Sequence, residues 1–222
     1  MVNKMRSNRW LAVCTLAVAL GAMAATATSA SADTKGAAVK PAAAKASRET
    51  ATFAAGCFWS MEAIFKQLKG VVSATSGYSG GKSAHPSYEE VETGTTGHAE
   101  SLNIVYDPKV IAYRDLLEVL LTVRDPTTVN RQGNDEGPQY RSIIFYRSED
   151  QKRDAQAAIA KFKAAKVWSR PIVTELQPYA QFYRAEDYHM DYYRLHPDQG
   201  YCRSVIAPEI AEFRAKFKAK LK

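Results

Sequence analysis

Apolar residues recur along the chain with two periods, which predict short strands that alternate with amphipathic helices. Short apolar or alternating runs predict strands at residues 50–55, 100–106, 143–146 and 172–176. Helical spacing of apolar residues predicts helices at residues 58–68, 111–124 and 149–166. Because strands and helices alternate, an α+β two-layer sandwich is favoured over an all-helical bundle.

Composition places the chain among ordinary globular proteins. Its 222 residues are 46% hydrophobic and 24% charged, close to the average for folded domains. These values exclude a disordered, a collagen-like and a multi-span membrane chain. The length fits one domain with an appendage.

The net charge of +7 is concentrated near the N-terminus. Residues 1–32 carry +3 and residues 33–50 carry +2, which leaves only +2 for the remainder. So small an excess does not predict a nucleic-acid-binding surface. The lysine-rich end, residues 213–222, is typical of a solvated helix terminus.

The first 32 residues have the pattern of a cleaved secretory signal. Basic residues precede the uncharged run Trp10–Met23, and the segment closes with Ala30-Ser31-Ala32. This run is shorter and less apolar than a membrane anchor requires. We therefore expect a secreted or periplasmic protein that is free of the membrane after cleavage.

The rest of the chain divides into a linker and one domain. Residues 33–50 are rich in Ala and Lys and contain Val39 as their one large apolar residue, which predicts a flexible tether. Residues 51–222 then form a single domain, which we expect to be catalytic and monomeric.

Two cysteines remain once the signal, which contains Cys14, is removed. Cys57 and Cys202 could form a structural disulfide in an oxidising compartment. Such a disulfide would close a loop of about 145 residues and stabilise the fold by about 4 to 5 kcal/mol. On cysteine count alone this interpretation would be favoured.

The surroundings of Cys57 favour chemistry instead. Cys57 follows Gly56 at the junction of a predicted strand and a predicted helix, where unpaired amides and the helix dipole stabilise an anion. We therefore expect a lowered pKa and a nucleophilic thiolate. Phe58 falls on the apolar face of the helix, so Trp59 is the better candidate for an exposed wall beside the sulfur, suited to a methyl group.

The segment Gly56-Cys57-Phe58-Trp59 resembles the active-site motif of the A-type peptide methionine sulfoxide reductases. The resemblance spans roughly residues 50–210 and departs from the family pattern at Ser60, commonly Gly or another small residue, and at Arg124, usually His. Further matching segments lie at residues 77–81, 85–91, 94–100, 106–108, 125–127, 130–135, 139–142 and 185–189. The resemblance implies a ferredoxin-like core with long irregular excursions.

Four further residues are candidates for the site. Glu100 has the parity of the apolar face of its strand, so burial should keep it protonated, although a solvated position at the strand end is an equal alternative. Tyr88 and Tyr140 carry neutral hydroxyls that could bind an oxygen or could simply belong to the core. The resemblance implies that Glu100 is the proton donor, that both tyrosines bind the substrate oxygen, and that Asp135 supports the substrate.

The resemblance also implies a mechanism. Cys57 would attack the sulfur of methionine-S-sulfoxide in proteins, peptides or the free amino acid, with the methyl group against Phe58 and Trp59. Cys202 would then attack the resulting sulfenic acid and form a disulfide, which an external thioredoxin-like dithiol must reduce. The turn-rich approach to Cys202, residues 197–200, suggests a mobile segment.

No other cofactor is expected. The four histidines lack the spacing of metal ligands and are interpreted as structural. Two alternatives remain: a secreted, non-enzymatic binding module stapled by a permanent Cys57–Cys202 disulfide, and a thiol hydrolase. The second is weakened because no histidine can be assigned as the base for Cys57.

Overall fold

The computed structural model describes residues 47–222. The predicted signal and most of the predicted tether lie outside the described residues. The first strand begins at Glu49, so the last two residues assigned to the tether belong to the folded domain.

The described residues form eight strands and six α-helices. The strands are β1 (Glu49–Ala54), β2 (Val71–Ser79), β3 (Ala99–Tyr106), β4 (Arg131–Gln132), β5 (Asp135–Glu136), β6 (Ile143–Tyr146), β7 (Glu175–Pro178) and β8 (Phe182–Arg184). The helices are α1 (Phe58–Phe65), α2 (Tyr88–Glu92), α3 (Tyr113–Val123), α4 (Glu149–Ala164), α5 (Tyr192–Leu195) and α6 (Ala207–Phe217). Within residues 47–222, no helix is long and apolar enough to cross a bilayer.

Six strands form one mixed sheet in the order β7-β6-β1-β3-β2-β8. The β6–β7 pair is parallel, and the other neighbours are antiparallel. Apolar faces of α1, α3 and α6 meet the apolar positions of β1, β2 and β3 in the main core. The α+β architecture expected from the alternating pattern is therefore confirmed.

Local differences from the predicted elements have physical causes. Residues 172–174 were expected to belong to a strand but lie outside the sheet. Strand β7 begins only at Glu175, where the chain pairs with β6. Residues 131–136, for which the periodicity predicts neither strand nor helix, form the short β4–β5 hairpin. Sequence patterning missed β2, which is rich in Ser, Thr and Gly; at Gly77 a Cβ would lie 2.3 Å from the carbonyl oxygen of Tyr183 on β8.

Candidate active site

A cavity of about 300 Å³ opens where the β1–α1 turn meets the start of β3. Its walls contain every predicted site residue except Cys202, and in addition one tyrosine that the sequence did not single out. The lining residues are Cys57, Phe58, Trp59, Tyr88, Glu100, Asp135, Tyr140 and Tyr201.

Cys57 caps the N-terminus of α1, as the strand-to-helix pattern predicts. Gly56 provides the turn with a φ of +77°, and the backbone amides of Trp59 and Ser60 favour the ionised form of the sulfur. The Cys57 side chain is only 6% exposed. Burial, and then the nearby Glu100 carboxyl, raise the pKa of the thiol far above its usual value, despite the two amides. The expectation of a lowered pKa is thus wrong for the resting site, because lost hydration outweighs the helix terminus.

Glu100 is the second residue of β3 and is 2% exposed, so the alternative of a solvated strand end is wrong. Its Oε2 accepts a hydrogen bond from the Phe58 amide at 2.8 Å, which fixes the carboxyl beside the start of α1. Burial raises the pKa of Glu100 well above its usual range, and the amide offsets only part of this effect. The raised pKa favours the protonated form of the carboxyl group, in the direction that the apolar parity of the strand position indicates.

The two predicted tyrosines line the cavity from separate elements. Tyr88 opens α2 and lies against Phe58 with ring centroids 6.4 Å apart. Tyr140 ends a 3₁₀ turn that is tied to the Cys57 turn by a 3.1 Å bond from the Gly56 amide to its carbonyl. The Tyr140 hydroxyl donates to the carboxyl of Glu92 at 3.0 Å. Glu92, on α2, was not found by sequence reasoning, because its approach depends on a contact between distant segments.

Phe58 and Trp59 form the apolar wall of the cavity. Phe58 is 1% exposed and Trp59 is half-buried, as the helical pattern predicts. The Trp59 indole stacks on Tyr192 at 3.8 Å and 8°, and its Nε1 donates to Nδ1 of His189 at 2.9 Å. Burial lowers the pKa of His189, so the ring stays neutral and can accept this bond. The indole is therefore held on its face and at its edge.

Asp135 reaches the cavity from β5 and is held by Tyr201, which sequence reasoning missed. The Tyr201 hydroxyl donates to Oδ2 of Asp135 at 2.6 Å, and its ring meets Trp59 edge-on. The signal in the sequence that could have identified Tyr201 is its position next to Cys202, because a movement of Cys202 would also move Tyr201.

Cys202 does not line the cavity. It begins a π-helical turn, Cys202–Ile206, that leads into α6, and its side chain is fully buried in the main core. Residues 194–200 before it are exposed, as the turn-rich sequence suggests. The expectation of a loosely held cysteine is nevertheless wrong for Cys202 itself, because core packing fixes it. Both Cys57 and Cys202 are free thiols, so the structural disulfide is not formed.

Arg124 ends α3 and lies beneath the Cys57 turn. It is 2% exposed, and its Nε donates to the carbonyl of Ala55 at 2.7 Å. The guanidinium is so close to Gly56 that a Cβ there would lie 2.5 Å from Nη2. In the sequence Arg124 stands out only as a departure from a family pattern, because its position under the site arises from the tertiary fold.

Metal binding finds no support among residues 47–222, where no group of His, Cys, Asp and Glu side chains could hold an ion. His98 hydrogen-bonds backbone groups of Gly81 and Ser83 at 3.1 and 2.8 Å. His189 holds the indole described above. These contacts give both residues structural roles.

Comparison with known proteins places these features in one family. Residues 49–221 match the family model of peptide methionine sulfoxide reductase. A peptide methionine sulfoxide reductase MsrA of Polynucleobacter asymbioticus is 49% identical over 77% of this chain and 90% of the relative. The MsrA of Thermus thermophilus is 51% identical over 78% of this chain and 98% of the relative.

Solved structures lead to the same group. The crystal structure of Mxr1 from Saccharomyces cerevisiae in reduced form has a TM-score of 0.66 and 34% identity, covering 70% of this chain and 89% of that one. Methionine sulfoxide reductase A of Corynebacterium diphtheriae has a TM-score of 0.62 and 34% identity, covering 71% and 78%.

Proposed function

The chain belongs to the peptide methionine sulfoxide reductase family and reduces methionine sulfoxide in protein repair, and on that premise we propose how its own residues carry the reaction. Cys57 is the nucleophile, Glu100 is the proton donor, and Cys202 resolves the oxidised intermediate.

The observation that carries this proposal is the meeting of Cys57 and Glu100 in one cavity. The sulfur opens to the cavity, and the carboxyl is fixed beside it by the Phe58 amide. Both groups keep their protons at rest, because burial disfavours their charged forms. The nucleophile and the acid are therefore uncharged before substrate enters, which suits a polar S=O group that needs a proton.

In the first step, the Cys57 sulfur attacks the sulfoxide sulfur while Glu100 donates its proton to the oxygen. The thiol proton replaces the one that Glu100 gives up, so no net charge is buried. The oxygen passes to Cys57 as a sulfenic acid, and methionine leaves. Tyr88 and Tyr140 hydrogen-bond the oxygen, Phe58 and Trp59 receive the methyl group, and Asp135 supports the substrate.

In the second step, the Cys202 thiol attacks the sulfenic acid, which releases water and forms the Cys57–Cys202 disulfide. This step requires Cys202 to leave its packed position in the π-helical turn. The exposed segment of residues 194–200 supports such a rearrangement, because its side chains add little to the core and its hydrogen bonds are close to solvent. A thioredoxin-like dithiol then reduces the disulfide and is itself oxidised.

Finer points of the function are part of the same proposal. The substrate is the S epimer, in proteins and also free, and the chain acts as a monomer without a further cofactor. The basic start, the apolar run and Ala30-Ser31-Ala32 support export, with a mature chain that works in the periplasm or outside the cell. The strand order β6-β1-β3-β2, with α1 and α3 as crossovers, supports a ferredoxin-like core.

The alternatives have less support. The stapled binding module needs a disulfide, and both cysteines are free thiols. The thiol hydrolase needs a histidine base, and the cavity is lined by aromatic rings, carboxyls and the thiol.

Turnover by cysteine variants tests the proposal. Cys57→Ser should abolish reduction of a sulfoxide peptide, because serine cannot take up the oxygen. Cys202→Ser should release one methionine per molecule and then stop when only a thioredoxin-type reductant is present. Multiple turnover by the Cys57 variant would overturn the assignment, and so would full turnover by the Cys202 variant.

A further inference from the structure

A partly buried ion pair joins the end of α3 to α6, the helix that follows Cys202, and a residue of α1 shares it. Arg124 Nη1 lies 2.6 Å from Oε2 of Glu209 on α6, and the side chains are 3% and 28% exposed. Ser60, in the first turn of α1, donates its hydroxyl to the same Glu209 oxygen and accepts from Arg124 at 3.1 Å. The two residues at which the chain departs from the family pattern thus meet a single carboxylate.

This arrangement places a fixed positive charge under the reacting groups. Arg124 also binds the Ala55 carbonyl and lies against Gly56, so it contacts the turn that presents Cys57. Its charge favours the ionised forms of both Cys57 and Glu100, although burial dominates the pKa of each. A guanidinium remains charged at every relevant pH, unlike a histidine ring.

Glu209 partly neutralises the charge of Arg124, and it lies on α6, the helix that follows Cys202. It lies seven residues after Cys202, on the helix that the π-helical turn leads into. Because water screens this ion pair only weakly, its charges act strongly on the neighbouring ionisable groups. A rearrangement of the segment around Cys202 that moved the start of α6 would separate Glu209 from Arg124.

We propose that Arg124 is a positioning residue that supplies a positive charge beneath Cys57. Glu209 couples the strength of this charge to the position of α6, the helix that follows Cys202. This inference rests on the proposed roles of the two cysteines. With Glu209 in contact, the charge is partly neutralised and Cys202 is held in the core. With Glu209 displaced, Arg124 acts at full strength on Cys57 while Cys202 is free to reach it.

Several other ionisable groups face the same two residues and enter any pH dependence. Around Cys57 these are Glu100 on β3, Tyr88 on α2 and Tyr201 before the π-helical turn; around Arg124 they are Glu209, Glu100 and Asp135. Apart from Glu209, which is itself one half of the ion pair, none of these groups is altered by the variants below, so differences between variants report the ion pair.

The charge is tested by alkylation of Cys57, which needs no sulfoxide chemistry. In the full chain with Cys14→Ser and Cys202→Ser, Cys57 is the single thiol, and its rate of reaction with iodoacetamide at pH 8 follows the thiolate fraction. Arg124→Gln should slow this reaction about three- to tenfold, and Glu209→Gln should speed it about two- to fivefold. Arg124→Lys should stay within about twofold of the parent, because it keeps the charge.

A double variant separates electrostatics from altered packing. When Arg124→Gln is already present, Glu209→Gln should retain less than half of its accelerating effect. The matched controls are Arg114→Gln, which breaks a surface ion pair between α3 and Asp154 on α4, and Glu212→Gln, which breaks an ion pair with Lys216 within α6. Both should leave the rate unchanged. Rate changes of the same sign in the Arg124 and Glu209 variants, or full additivity, would overturn the charge assignment.

The coupling to Cys202 is tested with that cysteine present. After one equivalent of a sulfoxide peptide, acid quenching and intact mass follow the closing of the disulfide. Glu209→Gln should close it at least twofold faster than Glu212→Gln, since α6 has lost its contact with Arg124. Equal rates in the two variants would refute the coupling. Failure of the proposed function, seen as turnover without Cys57, would leave the alkylation result standing.

Discussion

Replacement of Glu100 by glutamine separates catalysis from stability at one buried position. Glu100→Gln keeps the size of the side chain and an oxygen to accept the Phe58 amide bond, which is 2.8 Å in the parent. It removes the proton that the mechanism delivers to the sulfoxide oxygen. Loss of a general acid costs about 10² to 10⁴ in rate. We therefore expect a fall in kcat of that order, measured as methionine released from a sulfoxide peptide.

The same substitution should stabilise the protein at neutral pH. Burial raises the pKa of Glu100 above its unfolded value near 4.5, so above that pH the unfolded chain releases a proton that the folded chain keeps. The contribution of the Glu100 proton to the free energy of unfolding has its full value below pH 4.5. As the pH rises, this contribution declines by about 1.4 kcal/mol per pH unit until the folded-state pKa is reached. Glutamine has no such proton, so the stability of the variant does not decline with pH in this way.

Urea unfolding from pH 4 to pH 8 measures this difference. The stability of Glu100→Gln relative to the parent should rise with pH across this window, and an exposed control, Glu212→Gln, should show no trend. A Glu100→Gln enzyme within tenfold of the parent kcat would refute the acid role. A flat stability difference would refute the claim that the folded protein holds the Glu100 proton.

Two further substitutions test the walls of the cavity. Trp59→Phe loses the 2.9 Å bond to His189 and part of the stack on Tyr192, so KM for a sulfoxide peptide should rise several-fold with a smaller change in kcat, as steady-state kinetics would show; an unchanged KM would argue against a role in binding the methyl group. Tyr140→Phe loses the hydroxyl that donates to Glu92 at 3.0 Å, and kcat should fall about 10- to 100-fold while Cys57 alkylation keeps its rate; an unaltered kcat would remove Tyr140 from the oxygen site.

Local pattern reached furthest for the parts of the site that depend on one element. The strand-to-helix junction predicted Cys57 at the start of α1. The parity of Glu100 on its strand was consistent with burial and a retained proton, and it left a solvated strand end as an equal alternative until the family resemblance decided between them. In both cases, neighbours within a few residues determine the environment. The α+β class followed from the same periodicities.

The remaining features depend on contacts between distant segments. The sign of the Cys57 pKa shift was mispredicted, because a helix start is visible in sequence whereas burial by β3 and other elements is not. The burial of Cys202 was also mispredicted from the turn-rich residues before it, because the segments that pack around it are distant in sequence. Arg124 and Glu209 are 85 residues apart, and no local pattern links them.

The central claim is that the oxygen of the substrate passes to Cys57 and leaves as water through Cys202. Its most direct test is the intact mass of the full-length wild-type protein before and after one equivalent of a methionine-S-sulfoxide peptide, without external reductant. We expect one methionine released per protein, loss of two hydrogens, and a peptide map that joins Cys57 to Cys202. Methionine released with both thiols still free, or an unreacted peptide, would contradict the claim.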